Sequence, residues 1–230
     1  MAVITSTANP RLKLVRRLRS RRQRERLGLF VVEGEDLVDA GREAGAEPVD
    51  VLVAGEDVEP ALVADVSTLA HAPRVVAVFR RADLPPFRGD TAALALWRVA
   101  DPGNVGTLIR AADAFGAAVC LSAGCADPTG PKALRASMGA VFRVPLGRFD
   151  AAPAPRLALV PRGGQPLGDL SLSAEASFVL GAEREGLPDD VLAGCEHLAT
   201  IPLKAGAESL NVAMAGTVAL YEWRRQNPAP

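Results

Sequence analysis

The stretch 92-AALALWRVADPGNVGTLIRAADAFGAAVCLS-122 sets a pattern that the rest of the chain follows. Two apolar runs, 92–97 and 117–122, predict buried strands, and the segment between them predicts a helix over 104–115. A helix that joins two consecutive strands of one sheet returns the chain to the edge where it started, so the strands run parallel. Because parallel sheets are covered by such helices on both faces, the stretch predicts an α/β fold with a largely parallel sheet.

The same alternation extends in both directions along the chain. Towards the C-terminus, the apolar pattern predicts strands at 157–160, 177–181 and 198–203, and helices at 131–138 and 210–225. Towards the N-terminus, it predicts an amphipathic basic helix over 10–27, strands at 29–32, 49–54 and 74–79, and helices at 35–43 and 59–69.

The segment 80-RRADLPPFRGD-90 is the best candidate for a domain boundary. It places two prolines, a glycine and several charges between two apolar strands, a composition typical of a linker. We therefore expect a small α/β domain over residues 1–85 and a larger α/β domain over residues 90–230.

Positive charge is concentrated near the N-terminus. Residues 1–30 contain nine cations and one anion, a net charge of +8, whereas the other 200 residues carry a net charge of −9. Such asymmetry indicates a binding surface for a polyanion, and a solvated basic helix without a partner is the alternative interpretation. A membrane-surface helix fits less well because bulky aromatic anchors are missing. Aromatic residues make up only 4% of the chain, which argues against a stacking platform for single-stranded RNA.

Three glycine-bearing segments of the C-terminal half carry polar residues next to predicted strand ends. They are 101-DPGNVGTLIRAADAFGA-117, 181-GAEREGL-187 and 201-IPLKAGAESLNVAMAG-216. Loops at the carboxyl ends of parallel strands bind ligands in α/β proteins, and glycine lets a ligand approach the backbone closely.

Each of these segments also has a purely structural interpretation. Asn104 can cap a helix that begins at Val105, and Arg110 can form a surface ion pair with Asp113. Ser209 or Asn211 can cap the last helix of the chain.

Taken in this order, the three segments resemble the signature motifs of the SpoU (TrmH) family of RNA ribose 2′-O-methyltransferases, part of the SPOUT superfamily. The resemblance implies a SPOUT α/β domain in which the third segment threads through a preceding loop to form a trefoil knot. It implies S-adenosylmethionine as the cofactor, with Gly181, Ile201 and Leu210 lining its pocket. It also implies a set of active-site residues: Asn104, Arg110, Glu183, Ser209 and Asn211.

The N-terminal half carries a resemblance of its own. The stretch 4-ITSTANPRLKLVRRLRSRRQRERLGLFVVEG-34 is similar to the substrate-binding domain of rRNA-directed members, an α/β module that resembles a ribosomal protein. The segment 127-DPTGPKALRASMGAVFRVPL-146 also fits the family. RNA contacts are expected from six residues: Arg11, Lys13, Arg16, Arg17, Lys132 and Arg135.

The leading hypothesis is methyl transfer to a ribose 2′-hydroxyl of 23S rRNA. A tRNA 2′-O-methyltransferase, and a non-catalytic RNA-binding or ribosome-assembly factor with the same fold, are the alternatives. Transfer needs no metal, and aligning the reactants contributes roughly 7–11 kcal/mol in favourable cases. Because a guanidinium stays protonated, we expect Arg110 to grip an RNA phosphate and to stabilise the developing alkoxide. Family members work as homodimers, which implies a dimer through helices near 104–115 and 210–225.

Other functional classes lack their sequence signatures. The chain has neither G-x-G-x-x-G after a strand nor G-x-x-x-x-G-K-[ST], the marks of common dinucleotide and P-loop sites. Three cysteines without a C-x-x-C pair, and only two histidines, argue against a disulfide framework, a zinc site and a Ser-His-Asp triad. With no apolar run of membrane-spanning length and no signal peptide, we expect a cytoplasmic protein without metal or membrane contact.

Overall fold

A computed structural model describes residues 3–228 of the chain as two sheets with helices packed against them. The extreme ends of the two expected domains, residues 1–2 and 229–230, lie outside the described residues.

The first sheet belongs to the N-terminal part of the chain. Its elements are the helices α1 (Pro10–Leu18), α2 (Arg21–Leu27), α3 (Glu35–Glu43) and α4 (Pro60–Val66), and the strands β1 (Leu29–Glu33), β2 (Asp50–Val53) and β3 (Val75–Arg80). The strand order is β1-β3-β2, and β3 is antiparallel to both neighbours. Helix α3 connects β1 and β2 as a parallel crossover, but β3 then inserts between them in the opposite direction. The sheet of the expected small α/β domain is therefore mixed, with β1 and β2 parallel to each other and β3 antiparallel between them.

The predicted helix over 10–27 is two helices, α1 and α2, separated at Arg19 and Ser20. Leu12, Val15 and Leu18 of α1 are buried, as their spacing predicts. The interruption follows from Arg24, because its Nη1 donates to the carbonyl oxygens of Leu18 and Arg19, each at 2.8 Å. In a continuous helix these carbonyl oxygens would accept hydrogen bonds from backbone N–H groups. Here the Arg24 side chain takes the place of those donors.

The second sheet confirms the predicted parallel architecture. Its strands are β4 (Ala93–Leu96), β5 (Ala118–Leu121), β6 (Leu146–Arg148), β7 (Arg156–Leu159), β8 (Gln165–Pro166), β9 (Ser177–Leu180) and β10 (His197–Thr200). Its helices are α5 (Pro102–Phe115), α6 (Pro131–Ser137), α7 (Asp189–Ala193) and α8 (Val212–Gln226). The strand order is β6-β5-β4-β9-β7-β10-β8, with every pair parallel. From β4 the chain builds outward on one side and later on the other, so the carboxyl end of β4 lies at a topological switch point, where such sheets bind ligands.

Helix α5 is held between α6 and α8 by close contacts at glycines. A Cβ atom at Gly216 of α8 would collide with the Leu108 side chain, and one at Gly106 would collide with the carbonyl oxygen of Ala133 in α6. The side chain of Arg224 also donates to the carbonyl oxygen of Phe115 at the end of α5. These contacts fix the helix that carries Asn104 and Arg110.

The two sheets are joined through one hydrophobic core and one buried ionic network. The ring of Phe79 in β3 packs against the ring of Phe142, which lies between α6 and β6, with the ring centroids 5.0 Å apart. Arg24 and Asp127, each with a side chain only 5% exposed, form an ion pair of 2.7 Å. Arg81 approaches the same carboxylate at 2.7 Å. Burial raises the pKa of Asp127, but Arg81, Thr129 and Arg24 outweigh that effect and hold the pKa below its usual range.

Candidate active site

Hydrogen bonds bring together one polar residue from each of the three glycine-bearing segments. Asn104 Nδ2 donates to Glu183 Oε1 at 2.8 Å, and Asn211 Nδ2 donates to Asn104 Oδ1 at 3.1 Å. The side-chain amide of Asn104 therefore donates to the Glu183 carboxylate and accepts from the Asn211 amide. We refer to these three residues as the polar cluster.

The start of α5 frees the Asn104 side chain for this cluster. The helix begins at Pro102, and Asp101 is its N-cap, with Oδ1 accepting from the Asn104 N–H at 2.8 Å. Asn104 is therefore not the cap, because Asp101 and a proline at the first helical position start the helix earlier.

At α8, Asn211 is the N-cap, as one of the two alternatives predicted. Its Oδ1 accepts from the Ala213 N–H at 2.9 Å, while its Nδ2 remains available to Asn104.

The loop after β9 depends on glycine for a reason that the sequence did not reveal. A Cβ at Gly181 would collide with the backbone of Gly186, because the loop folds back on itself. Gly186 has a φ of +68°, and its N–H donates to the carbonyl oxygen of Ala182 at 2.9 Å. The close approach at Gly181 is thus made by the chain's own backbone. This tight turn aims Glu183 at Asn104.

A pocket of about 680 Å³ opens beside the polar cluster, where β7, β9 and β10 end. Its volume is in the range of ligand-binding pockets. Apolar side chains form much of its wall, and the backbone of the 181–187 loop forms another part. Six of the expected site residues line it: Gly181, Glu183, Ile201, Ser209, Leu210 and Asn211. Two others, Asn104 and Arg110, are not part of its lining.

Arg110 lies apart from the polar cluster. On an α-helix, a separation of six residues turns the side chain about 120° away from that of Asn104. Arg110 is exposed and makes no hydrogen bond or ion pair with another side chain of residues 3–228. The expected partner Asp113 instead pairs with Arg143 at 2.6 Å, so the Arg110–Asp113 ion pair is wrong. Asp113 lies one turn further along α5 and faces the turn that carries Arg143.

The residues expected to contact RNA fall into two groups. Arg11 donates to Asp50 from Nε at 3.0 Å, a hydrogen bond that raises its pKa, and Arg16 pairs with Asp65 at 2.6 Å. These two side chains hold α1 against β2 and α4. The second group is more open to solvent: Lys13, Arg17 and Lys132 are exposed, and Arg135 donates to Thr68 Oγ1 at 3.2 Å.

Two exposed arginines of α2, Arg22 and Arg26, extend the second group; both belong to the basic stretch expected to bind a polyanion, although they are not among the six expected RNA contacts. Neither makes an ion pair within the part of the chain that the structure describes. Their position on the solvent side of α2 follows from Arg24, which turns the opposite side of that helix into the protein.

The described residues show no helix long and apolar enough to cross a membrane. Among the same residues, no group of three His, Cys, Asp or Glu side chains is placed to hold a metal ion. The three cysteines are free thiols, and burial raises the pKa of Cys120 to about 12.

An all-parallel sheet with a pocket at its strand ends, bordered by polar groups from three loops, defines the α/β class of ligand-binding domains. Residues 91–221 match the model of the SpoU rRNA methylase family, and residues 9–82 match that of the MRM3-like substrate-binding domain. This chain belongs to the SpoU rRNA methylase family.

Relatives and solved structures match the chain over nearly its whole length. An uncharacterised tRNA/rRNA methyltransferase from Synechocystis sp. is 32% identical, over 98% of this chain and 94% of the relative. The 23S rRNA (guanosine(2553)-2′-O)-methyltransferase RlmP from Bacillus subtilis is 28% identical, over 97% of this chain and 100% of that protein. The AdoMet-bound rRNA methyltransferase from Sinorhizobium meliloti is 28% identical, with a TM-score of 0.88 and 99% of both chains covered. The similarity therefore includes both sheets.

Proposed function

We propose that this protein transfers the methyl group of S-adenosylmethionine to a ribose 2′-hydroxyl of RNA, with 23S rRNA as the substrate. The observation that carries the proposal is the polar cluster, in which Asn104, Glu183 and Asn211 meet at the edge of the pocket. Family membership and the named activity of the Bacillus subtilis relative support the reaction and the RNA species.

The pocket fits the cofactor in size and in chemistry. Apolar side chains, including Ile201 and Leu210, offer a surface for a purine, and the backbone of the 181–187 loop offers hydrogen-bonding groups. We propose that Gly181, Ile201 and Leu210 hold S-adenosylmethionine. When bound, this cofactor supplies an electrophilic methyl group carried by a sulfonium.

The residues around the pocket have distinct proposed roles in transfer. Asn104 holds the Glu183 carboxylate in one orientation, and Asn211 holds Asn104 while capping α8. We propose that Ser209 and Asn211, which both line the pocket, contact the substrate. Arg110 binds an RNA phosphate and stabilises the charge that develops on the 2′-oxygen. The hydroxyl proton leaves to water or to the phosphate.

The proposed role of Arg110 leads to a proposal about a dimer, because Arg110 is exposed and is not part of the pocket lining. Helix α8 leaves Met214, Val218 and Tyr221 exposed to solvent by 62%, 38% and 58%, and at this spacing the three residues form an apolar stripe on one face of the helix. Neighbouring apolar side chains on one helix face are typical of an interaction surface. We propose a homodimer through α5 and α8, in which the partner covers this face and completes the surroundings of Arg110.

RNA recognition is assigned to the basic N-terminal part together with α6. Lys13, Arg17, Lys132 and Arg135 remain our proposed RNA contacts, while the ion pairs of Arg11 and Arg16 favour a structural role for those two. The division into domains at residues 80–90, a trefoil knot through 201–216 and a cytoplasmic location complete the proposal.

A methylation assay on natural RNA tests this function. The protein is incubated with radiolabelled S-adenosylmethionine and total RNA from cells that lack the modification, and the RNA species are then separated. Label in 23S rRNA is the expected result. Label in tRNA alone would transfer the assignment to that substrate. Absence of label together with absence of cofactor binding would favour the non-catalytic RNA-binding factor.

A further inference from the structure

Arg98 has a backbone conformation that is unfavourable for its residue type. Its φ is +53°, in the left-handed region where glycine is at ease and other residues are uncommon. Its N–H donates to Ser122 Oγ at 2.8 Å, and the next residue, Val99, is fully buried, so the turn is well held. An exposed arginine kept in such a conformation points to a use for the side chain beyond folding.

Arg98 lies at the carboxyl edge of the parallel sheet, just beyond the end of β4. The N–H of Trp97 donates to the Leu180 carbonyl of β9 at 2.8 Å, and the N–H of Ser122 donates to the Leu96 carbonyl at 3.0 Å. Arg98 therefore leaves β4 between the ends of β5 and β9. Its side chain is 58% exposed, and its Nη1 lies 3.9 Å from Oε2 of Glu185, a residue of the pocket lining.

A single turn separates Arg98 from the basic surface of α2. A Cβ at Gly124 would lie 3.3 Å from Arg98 Cγ, so this turn borders the stem of the arginine. The adjacent Cys125 carbonyl accepts from Arg21 Nη1 of α2 at 2.8 Å. Arg21 of α2 and the side chain of Arg98 thus flank the same turn, 122–125, and Glu185 of the pocket lining lies beyond Arg98.

We propose that Arg98 is an RNA phosphate contact that continues the basic surface of α2 to the mouth of the pocket, with the RNA strand crossing the 122–125 turn. The proposal rests on the proposed function, because it takes RNA as the polyanion. At 3.9 Å the ion pair with Glu185 is loose, and a phosphate that accepts two hydrogen bonds from the guanidinium is the better partner.

The salt dependence of RNA binding tests this contact. The affinity for 23S rRNA transcribed in vitro is measured over a series of salt concentrations for the wild type, Arg98→Gly and Arg98→Gln. Loss of one phosphate contact lowers the slope of log K against log salt by about 0.7–0.9. We expect that decrease in both variants, with unchanged S-adenosylmethionine affinity, and a thermal midpoint for Arg98→Gly no lower than that of the wild type.

Met138→Gly is the matched control, because Met138 is also exposed and has a φ of +49° but carries no charge. Its slope should equal that of the wild type. A wild-type slope in Arg98→Gln, with cofactor binding intact, would overturn the role of Arg98 alone. A wild-type protein that neither binds the transcript nor methylates it would instead overturn the proposed function, and this inference with it.

Discussion

Asn104 and Glu183, 79 residues apart in the chain, are joined by a hydrogen bond of 2.8 Å from the amide to the carboxylate. The bond depends on two separate turns. Asp101 caps α5 and leaves the Asn104 side chain free, and the collapsed loop after Gly181 aims Glu183 towards it. The orientation of this carboxylate is therefore set jointly by the pocket-lining loop that carries it and by Asp101 and Asn104, which lie outside the pocket lining.

Asn104→Asp should separate the two residues, since a second carboxylate cannot donate to Glu183 and repels it. A hydrogen bond to a charged group contributes roughly 1.5–3 kcal/mol, so we expect the single-turnover rate of methyl transfer to fall about 10-fold or more. Cofactor affinity, measured by calorimetry, should change little. Asn9→Asp is the control, because it makes the same substitution at the N-cap of α1, far from the site, and aspartate can also act as an N-cap. A wild-type rate in Asn104→Asp would contradict the role of the cluster.

Arg110→Lys should keep the positive charge and lose most of the activity, because the ammonium lacks the planar fork that grips a phosphate at two points. We expect methyl transfer to drop by about 10²-fold, the effect of losing one group that stabilises developing charge. Arg143→Lys makes the same substitution at the arginine that pairs with Asp113, and it should leave the rate of methyl transfer nearly unchanged. Turnover of Arg110→Lys at the wild-type rate would remove Arg110 from the mechanism.

Substitutions of the cations in the N-terminal helices should have two different effects, one on RNA binding and one on stability. Replacing the exposed Lys13, Arg17, Arg22 and Arg26 by Gln should weaken RNA binding and lower its salt slope by about 3, at about 0.7 per contact. Arg11→Gln should instead lower the free energy of unfolding by about 1–2 kcal/mol, because Asp50 loses its partner. RNA filter binding and urea unfolding separate the two effects. Equal salt slopes in the wild type and the fourfold variant would refute the basic surface.

Asp127→Asn should destabilise the junction between the two sheets, because it leaves the buried Arg24 without its anionic partner. Removing one member of a buried ion pair costs about 3–5 kcal/mol, whereas Asp113→Asn, at a more exposed pair, should cost about 1 kcal/mol or less. Urea unfolding at neutral pH measures both.

The same carboxylate gives the stability a defined pH dependence. Because the pKa of Asp127 is lowered in the folded protein, its contribution is fully present above the unfolded pKa of about 3.9 and disappears as the pH falls through the folded value. The difference in the free energy of unfolding between the wild type and Asp127→Asn should therefore begin to shrink below about pH 4 and vanish once the pH is below the folded pKa. A constant difference between the two proteins down to pH 2 would exclude Asp127 as the cause.

Met214→Glu combined with Tyr221→Glu should produce a monomer in sedimentation equilibrium, because two charges then occupy the apolar stripe of α8. Methyl transfer should fall as the dimer is lost, since in the proposed dimer the partner completes the surroundings of Arg110. Val3→Glu, which adds a charge at another exposed apolar position, should change neither property. A double variant that is monomeric and fully active would separate Arg110 from the dimer.

Regular elements with strong periodicity were predictable from the sequence, and contacts between distant residues were not. Helix α3 spans Glu35–Glu43 as predicted, and the central strands of the parallel sheet agree within one or two residues. The strands β6 and β8, with three and two residues, and the short helix α7 carry too little periodicity to be detected. The break between α1 and α2 depends on Arg24, whose partner Asp127 lies 103 residues away.

In the candidate site too, local motifs were predictable from the sequence and contacts between distant residues were not. The sequence motifs led to most of the pocket lining, because each follows a strand and all strands end at one edge. Two features could not be predicted from the local sequence: the ion pairs that occupy Arg11 and Arg16, and the pairing of Asp113 with Arg143 rather than with Arg110. Each depends on a partner that is distant along the chain.

The position of the transferred methyl group tests the central claim most directly. Wild-type protein is incubated with S-adenosylmethionine that carries a deuterated methyl group and with unmodified 23S rRNA, and the digested nucleosides are analysed by mass spectrometry. We expect the heavy methyl group on the ribose fragment of one nucleoside, and a signal lower by about 10-fold or more in Asn104→Asp at an early time point of the reaction. A heavy methyl group on a base, or an undiminished ribose signal in that variant, would contradict the central claim.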